Sequence, residues 1–88
     1  LYQNYPNPFN PVTNIKFDIP KLDYVELVIY NVKGNQIRTL ISNVLNPGVY
    51  NYYWDGKDDF GISLPSGIYF YHMKTSSFTK KNKMVLIK

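Results

Sequence analysis

The chain has 88 residues, of which 44% are hydrophobic and 17% aromatic, and its formal net charge is +4. This length allows one small domain, the apolar content excludes a disordered polymer, and no apolar run reaches the ~20 residues that a transmembrane helix requires. The sequence contains no cysteine, so a disulfide framework and a thiolate metal site are both excluded.

The first element is a proline-rich segment over residues 1–12, called the lead-in below. Pro6, Pro8 and Pro11 each fix φ and remove a backbone donor. We therefore expect a stiff, extended lead-in that packs on the domain formed by residues 13–88. A central strand is excluded here, because proline interrupts the hydrogen-bonded ladder of a sheet.

Hydrophobic and polar residues alternate along most of the remaining chain. Ile15, Phe17 and Ile19 share one face of the first such segment. The pattern predicts strands over residues 13–19, 24–30, 36–41, 49–54, 68–74 and 79–87. Turn residues separate these segments at roughly ten-residue intervals, which favours an all-β fold, a single immunoglobulin-like antiparallel β-sandwich of about seven short strands.

Two of the predicted strands are rich in aromatic residues. In residues 49–54, aromatic side chains occur on both faces, so we expect both faces to be partly covered. In residues 68–74, Tyr69, Tyr71 and Met73 share the more apolar face, which we place inward. Trp54 and Tyr69 are therefore expected in the core.

Few residues have the chemistry of an active site. The one histidine, His72, has no second histidine or cysteine with which to share a metal, so a partly covered strand residue is expected. Asp55, Asp58 and Asp59 cluster on a glycine-bearing loop, which leaves calcium binding as a minor alternative. The spacing of an EF-hand is lacking, and we favour carboxylates that bond their own loop. The sequence predicts a domain that is not an enzyme and needs no cofactor.

The positive charge is concentrated near the end of the chain. Five lysines and no acidic residue follow Met73, at positions Lys74, Lys80, Lys81, Lys83 and Lys88. Lysines along a terminal strand are typical of an edge that avoids pairing with another chain. Aromatic residues that could stack on bases do not alternate with these lysines, so nucleic-acid binding is not predicted.

Motifs at both ends and in the middle of the chain resemble one known family. The opening motif includes Pro6, Asn7, Pro8, Phe9, Asn10 and Pro11. The middle motifs are Gly34, then Trp54 with Asp55 and Gly56, and then Gly67 with Tyr69. The closing motif is Lys83, Met84, Val85, Leu86, Ile87 and Lys88. Together they resemble the type A C-terminal sorting domain of the type IX secretion system, which is related in fold to the immunoglobulin-like domain of the flagellar hook-capping protein. The departures, Asn35 and the pair Leu64 and Pro65, concern local loop shape.

The resemblance implies a non-catalytic secretion signal. Such domains follow an N-terminal passenger, fold in the periplasm, and are recognised by the outer-membrane translocon. A sortase-like peptidase then removes them by cutting ahead of the domain, here upstream of Leu1, and the passenger reaches the cell surface or is secreted. Neither nucleic acid nor membrane insertion is part of this scheme.

We expect the translocon to recognise the closing motif, residues 83–88. This segment combines an apolar face, flanking positive charge and a sheet edge that could accept a strand from a receptor. The alternative function is a carbohydrate-binding or structural β-sandwich module appended to a secreted enzyme. A carbohydrate-binding module requires exposed aromatic side chains, so the position of Trp54 and the tyrosines distinguishes the two.

Overall fold

A computed structural model describes all residues from Leu1 to Lys88. The chain forms six strands: β1 (Thr13–Ile19), β2 (Asp23–Asn31), β3 (Gln36–Leu45), β4 (Gly48–Trp54), β5 (Gly67–Lys74) and β6 (Thr79–Leu86). One sheet contains β1 and β4, and the other has the order β3-β2-β5-β6, with every strand pair antiparallel. The predicted all-β sandwich is confirmed. No segment forms a helix with the length and apolarity of a membrane span.

The main difference in strand bounds concerns β3, which extends four residues beyond the predicted end. Residues 42–45 continue the antiparallel pairing with residues 23–26 of β2. A shift in the register between Leu27 and Val28 lies within this pair. The extension follows from backbone pairing with β2, which the side-chain alternation of β3 alone does not reveal.

The core lies between the two sheets and is built from the alternating inner faces. It contains fifteen buried hydrophobic residues, among them Ile15, Phe17 and Ile19 of β1. Trp54 is 0% exposed and Tyr69 is 5% exposed, which confirms their predicted burial. Tyr71 and Met73 are also buried, as the alternation of β5 predicts. Burial of these large side chains is the main source of stability that a domain of this size has.

The lead-in pairs with both sheets. Tyr5 exchanges two backbone hydrogen bonds with Asn14 of β1, with N–O distances of 3.0 and 2.8 Å. Phe9 then forms a parallel bridge to Leu86 of β6. The expectation of a continuously extended lead-in is wrong, because the chain bends at residues 6–8 and 10–11 to pass from one sheet to the other. The peptide bonds preceding Pro6, Pro8 and Pro11 are cis.

The outer face of β4 is open to solvent. Val49 and Tyr53 are 61% and 67% exposed, and Asn51 between them is exposed as well. The expectation that both faces of this strand are partly covered is therefore wrong. The reason is topological: β4 belongs to a two-stranded sheet, and no further layer packs on the outer side of that sheet.

Candidate functional site

The opening and closing motifs lie against each other. The backbone N–H of Phe9 donates to the carbonyl oxygen of Val85 at 3.0 Å, and the N–H of Ile87 donates to the carbonyl oxygen of Phe9 at 2.9 Å. Two side chains of the lead-in extend this contact. Asn7 Oδ1 accepts the N–H of Val85 at 2.9 Å, and Gln3 Nε2 donates to the carbonyl oxygen of Lys83 at 2.8 Å. The first and last elements of the fold are thus joined by hydrogen bonds.

This contact corrects the expectation of an open edge on the terminal strand. Lys83, Val85 and Ile87 direct their backbone groups toward the outer edge of β6, and the lead-in binds all three. Strand addition by a receptor requires unpaired backbone groups. Four of the six backbone groups of these residues are already paired, so a receptor strand could add along the closing motif only after the lead-in had left.

The side chains of the closing motif divide between core and surface. Met84 and Leu86 are 0% exposed and pack in the core. The apolar face that was expected to dock in a receptor groove therefore packs inside the domain itself, and that expectation is wrong. Lys83, Ile87 and Lys88 are exposed, and Val85 is half-buried.

The opening motif divides in the same way. Phe9 is 2% exposed, and its ring centroid lies 5.7 Å from that of Trp54. The other residues of the motif are on the surface: Pro6, Asn7, Pro8, Asn10 and Pro11. One aromatic side chain therefore anchors a segment that is otherwise solvent-exposed.

Gly56 shows why the middle motif requires a glycine. Its φ is +74°, and a Cβ at this position would lie 3.3 Å from the carbonyl oxygen of Pro11 and 3.5 Å from the side chain of Leu86. Side chains rarely adopt such a φ, and this space is already filled. The opening, middle and closing motifs meet at this point. We call the meeting point the end junction and define it by Phe9, Pro11, Trp54, Gly56 and Leu86.

Hydrogen bonds within the loop after β4 fix its shape. Trp54 Nε1 donates to the carbonyl oxygen of Lys57 at 2.9 Å. Asp55 Oδ1 accepts the N–H of Lys57 at 3.1 Å and also contacts Arg38 Nη1 at 3.2 Å. Since both partners of this ion pair are partly exposed, its main effect is to position the loop against β3.

The other two carboxylates of the loop bind different backbone donors. Asp58 Oδ1 accepts the N–H groups of Phe60 and Ile62, each at 2.9 Å. Asp59 Oδ1 accepts the N–H of Thr39 in β3 at 3.0 Å. The carboxylates of Asp55, Asp58 and Asp59 do not form a cluster that could hold a metal ion. They are instead the acceptors of a set of turns, as Asp side chains commonly are.

The remaining middle motifs have structural roles that the geometry explains. Gly34 has a φ of +83° in the turn between β2 and β3, where Asn31 Oδ1 accepts the N–H groups of Lys33 and Asn35. Tyr69 packs edge-on against Trp54 and donates its hydroxyl to the carbonyl oxygen of Pro65 at 2.7 Å. Burial raises the pKa of the Tyr69 hydroxyl. Gly67 is the first residue of β5.

A buried polar network, which the sequence pattern did not reveal, lies beneath the lead-in. Asn4 is 2% and Thr13 is 0% exposed, and Asn4 Nδ2 donates to Thr13 Oγ1 at 2.9 Å. The N–H of Asn4 donates to the hydroxyl of Tyr71, which donates in turn to the carbonyl oxygen of Tyr2 at 2.9 Å. Burial raises the pKa of Tyr71, against the opposing effect of hydrogen bonds from Asn82 and Asn4. The available signal was the position of Thr13 on the inner face of β1.

The lysines of β6 outside the closing motif lie on the surface. Lys80 and Lys81 are exposed. Lys81 pairs in register with His72 of β5, whose ring lies 4.4 Å from the ring of Tyr30. Burial lowers the pKa of His72, and the charge of Lys81 lowers it further. His72 is thus a partly covered strand residue packed on a tyrosine.

A groove of about 340 Å³ lies beside the end of the chain. Ile37, Leu64 and Tyr69 contribute its apolar wall. Ser66 also lines it, and the Ser66 hydroxyl accepts the N–H of Lys88 at 2.8 Å. The last residue of the closing motif therefore lies at the rim of this groove.

Known proteins share this architecture. FlgD from P. aeruginosa has a TM-score of 0.65 and 21% identity, with 90% of this chain and 67% of that chain covered. PorZ, an essential bacterial surface component of the type IX secretion system of Porphyromonas gingivalis, has a TM-score of 0.63 and 18% identity. That match covers 98% of this chain and 11% of PorZ, so the chain corresponds to a small part of that protein. No curated protein sequence matches the chain.

The comparison with family models is more specific. The model described as the FlgD Ig-like domain matches residues 10–78. The matched region includes β1 to β5 and the loop that carries Trp54 and Gly56. The chain therefore belongs to the FlgD Ig-like domain family.

Proposed function

We propose that this domain is a non-catalytic C-terminal sorting domain, which directs an N-terminal passenger through the outer membrane by the type IX secretion system. The observation that carries the proposal is the end junction. Motifs whose contacting residues lie up to 78 positions apart in the sequence, and which resemble those of the sorting family, pack on one another through Phe9, Gly56 and Leu86. The likeness in fold to a part of PorZ is in keeping with a role in that system.

The proposed recognition surface is composite. Asn7, Pro8 and Asn10 of the lead-in are exposed next to the closing motif, whose own exposed residues are Lys83, Ile87 and Lys88. We call these six residues the end patch. The buried residues Met84 and Leu86 hold the terminal strand in place, so that the translocon meets a rigid surface. A preformed surface reduces the entropy lost on binding, and the lysines attract an acidic receptor face.

The rest of the proposed pathway involves no chemistry by the domain. The domain folds in the periplasm, the translocon binds the end patch, and the passenger crosses the outer membrane. A sortase-like peptidase then cuts the linker ahead of the domain, and the passenger remains at the cell surface or is secreted. Half of the end patch belongs to the lead-in, which directly follows the linker, so recognition and cleavage would involve neighbouring parts of the chain.

Export of a fused reporter tests the proposal. The domain is fused behind a reporter with an inner-membrane signal, in a host with the type IX machinery, and surface delivery is measured. Changing Lys83 and Lys88 together to glutamate should reduce delivery by about threefold or more, since charges at the rim of an interface set the association rate. The matched control changes Lys80 and Lys81 to glutamate, which are exposed on the same strand outside the end patch. Each substitution should alter stability by about 0.5 kcal/mol or less.

Two results would contradict the proposal at different levels. Equal delivery of the reporter with and without the whole domain would show that the domain is not a sorting signal. Equal delivery by the two lysine pairs would leave the sorting role intact and reject the end patch as the recognition surface. Melting curves of both variants distinguish a loss of recognition from a loss of fold.

The carbohydrate-binding alternative depends on the tyrosines and no longer on Trp54. Trp54 is 0% exposed, so it does not stack on a sugar ring. The most exposed aromatic residues are Phe60 at 88%, Tyr5 at 80% and Tyr53 at 67%. Of these, Tyr5 and Tyr53 both lie next to Asn14 of β1. Calorimetric titration with oligosaccharides checks this alternative: binding that is lost in Tyr5→Ala would support it over sorting.

A further inference from the structure

On the outer edge of β4, three residues have backbone N–H and C=O groups that lack a hydrogen-bond partner. Asn14 and Lys16 of β1 direct their backbone groups toward the lead-in, where they bond Tyr5 and Tyr2. In an antiparallel ladder the residues facing them, Tyr53 and Asn51, direct their own N–H and C=O groups away from β1. Val49 follows the same alternation.

No other part of the chain covers this edge. β4 pairs with β1 alone, and the hydrogen bonds from turns and side chains do not reach the backbone of Val49, Asn51 or Tyr53. The other outer edges are covered at least in part. The lead-in binds β1 and the end of β6, and Asp59 binds the start of β3 through the carbonyl oxygen of Ile37 and the N–H of Thr39.

The sequence of β4 also lacks the features that keep an edge strand unpaired. The strand, Gly48–Trp54, contains no charged residue and no proline. Valine and tyrosine favour strand pairing, whereas lysine, proline and bulges oppose it at sheet edges. Nothing in the strand itself therefore disfavours pairing with another chain.

We propose that β4 pairs antiparallel with β4 of a second copy of this chain, with the two-fold axis passing between the two Asn51 residues. The three outward-facing residues are spaced symmetrically about position 51, so this register uses all of them. Val49 of each copy faces Tyr53 of the other, and the two Asn51 residues face each other. Three hydrogen-bonded pairs that each exchange two bonds give six backbone hydrogen bonds.

Four observations favour a second copy over an unrelated strand. A symmetric dimer requires one patch that complements itself. Val49, Asn51 and Tyr53 form such a patch in the register that places the two Asn51 residues opposite each other. It places an exposed β-branched side chain against an exposed aromatic one at both ends, which is a favourable cross-strand pair. No like charges meet across the axis. The pairing also converts two two-stranded sheets into one of four strands, a more stable arrangement.

The interface formed by one seven-residue strand is small, so the dimer should be weak and depend on concentration. Sedimentation velocity of the 88-residue chain, from about 10 µM to about 1 mM, should therefore show a rising average mass. Asn51→Lys places two positive charges opposite each other at the axis and should raise the dissociation constant about tenfold or more. Asn43→Lys is the matched control, because it makes the same change at an exposed position on β3 of the other sheet.

Amide hydrogen exchange supplies a second readout. The amides of Val49, Asn51 and Tyr53 should exchange more slowly as the concentration of the wild-type chain increases, while those of Asn51→Lys should not change. A chain that stays monomeric throughout the range would overturn the proposal. So would a dimer that both lysine variants retain or both lose equally, because the interface would then lie elsewhere or reflect net charge alone.

Discussion

The two strands β4 and β6 each form one edge of a sheet, yet their edges differ. The edge of β6 is bound by the lead-in at Lys83, Val85 and Ile87, and the charged residues Lys80 and Lys81 occupy the remainder. The edge of β4 is bound by nothing within the chain and carries no charge. The terminal strand, in which residues 84–87 have the apolar composition of a pairing strand, is thus closed, while an internal strand is open.

The comparison shows that the family-like motifs and the unpaired sheet edge lie in different parts of the molecule. The residues that resemble the sorting family concentrate at the closed edge, where Phe9 and Leu86 pack beside Trp54. Packing and hydrogen bonding at this edge explain why these residue types occur there. The open edge has no such motif, and its exposed residues Val49 and Tyr53 are not part of the hydrophobic core.

The largest expected effect is the loss of the aromatic anchor at the closed edge. Phe9→Ala should destabilise the domain by about 3 to 5 kcal/mol, because it opens a cavity beside Trp54 and releases the lead-in. A small domain has a total stability of about 5 to 15 kcal/mol, so much of the margin would be lost. Tyr53→Ala at the open edge should cost about 1 kcal/mol or less. Urea unfolding at low protein concentration measures the free energy of unfolding of both variants. Equal losses would contradict the proposed difference between the closed and the open edge.

A single hydrogen bond at the closed edge should have an intermediate effect. Asn7→Ala removes the acceptor of the Val85 N–H and should cost about 0.5 to 1.5 kcal/mol. Asn10→Ala, an exposed residue of the same lead-in, serves as the control and should be close to neutral. Thermal unfolding compares the two. A cost at Asn10 that matches the cost at Asn7 would mean that the lead-in is held by features other than this bond.

The smallest expected effect concerns the charged part of β6 and its neighbour His72. Burial and then the charge of Lys81 lower the pKa of His72 below its ordinary value of 6.5. The unfolded chain therefore takes up the proton more readily, and stability that is present above about pH 6.5 decreases as the pH falls toward the folded pKa. His72→Gln should reduce this slope in urea titrations between about pH 7 and pH 5. An unchanged slope would assign the pH dependence to other groups.

Much of the fold could be predicted from local alternation. The inner faces of β1 and β5 follow directly from the sequence of Ile15, Phe17, Tyr69 and Tyr71, because residues two apart on a strand share a face. The burial of Trp54 followed from the same rule. Turn residues such as Gly34 gave the approximate ends of the strands, since a positive φ marks a turn.

The candidate site could not be predicted in the same way, because it is formed by contacts between residues far apart in the sequence. Local patterns do not specify such contacts. The apolar composition of residues 84–87 is equally consistent with a strand packed inside the domain and with one available to a receptor. Only the position of Phe9 against Leu86 decides between them. The outer face of β4 was misjudged for a similar reason, because aromatic composition does not reveal whether another layer covers a sheet.

The contact between the lead-in and the closing motif also determines when the sandwich can close. Residues 2–9 bind both β1 and residues 83–87, and the second of these contacts spans nearly the entire sequence. It can form only after residues 83–87 have been synthesised. A nascent chain that ends before Met84 would leave Phe9 and Trp54 without the side chain of Leu86 against them. The compactness of the domain therefore depends on its closing motif, and a product that lacks this motif would expose apolar surface to the chaperones and proteases that remove unfolded proteins.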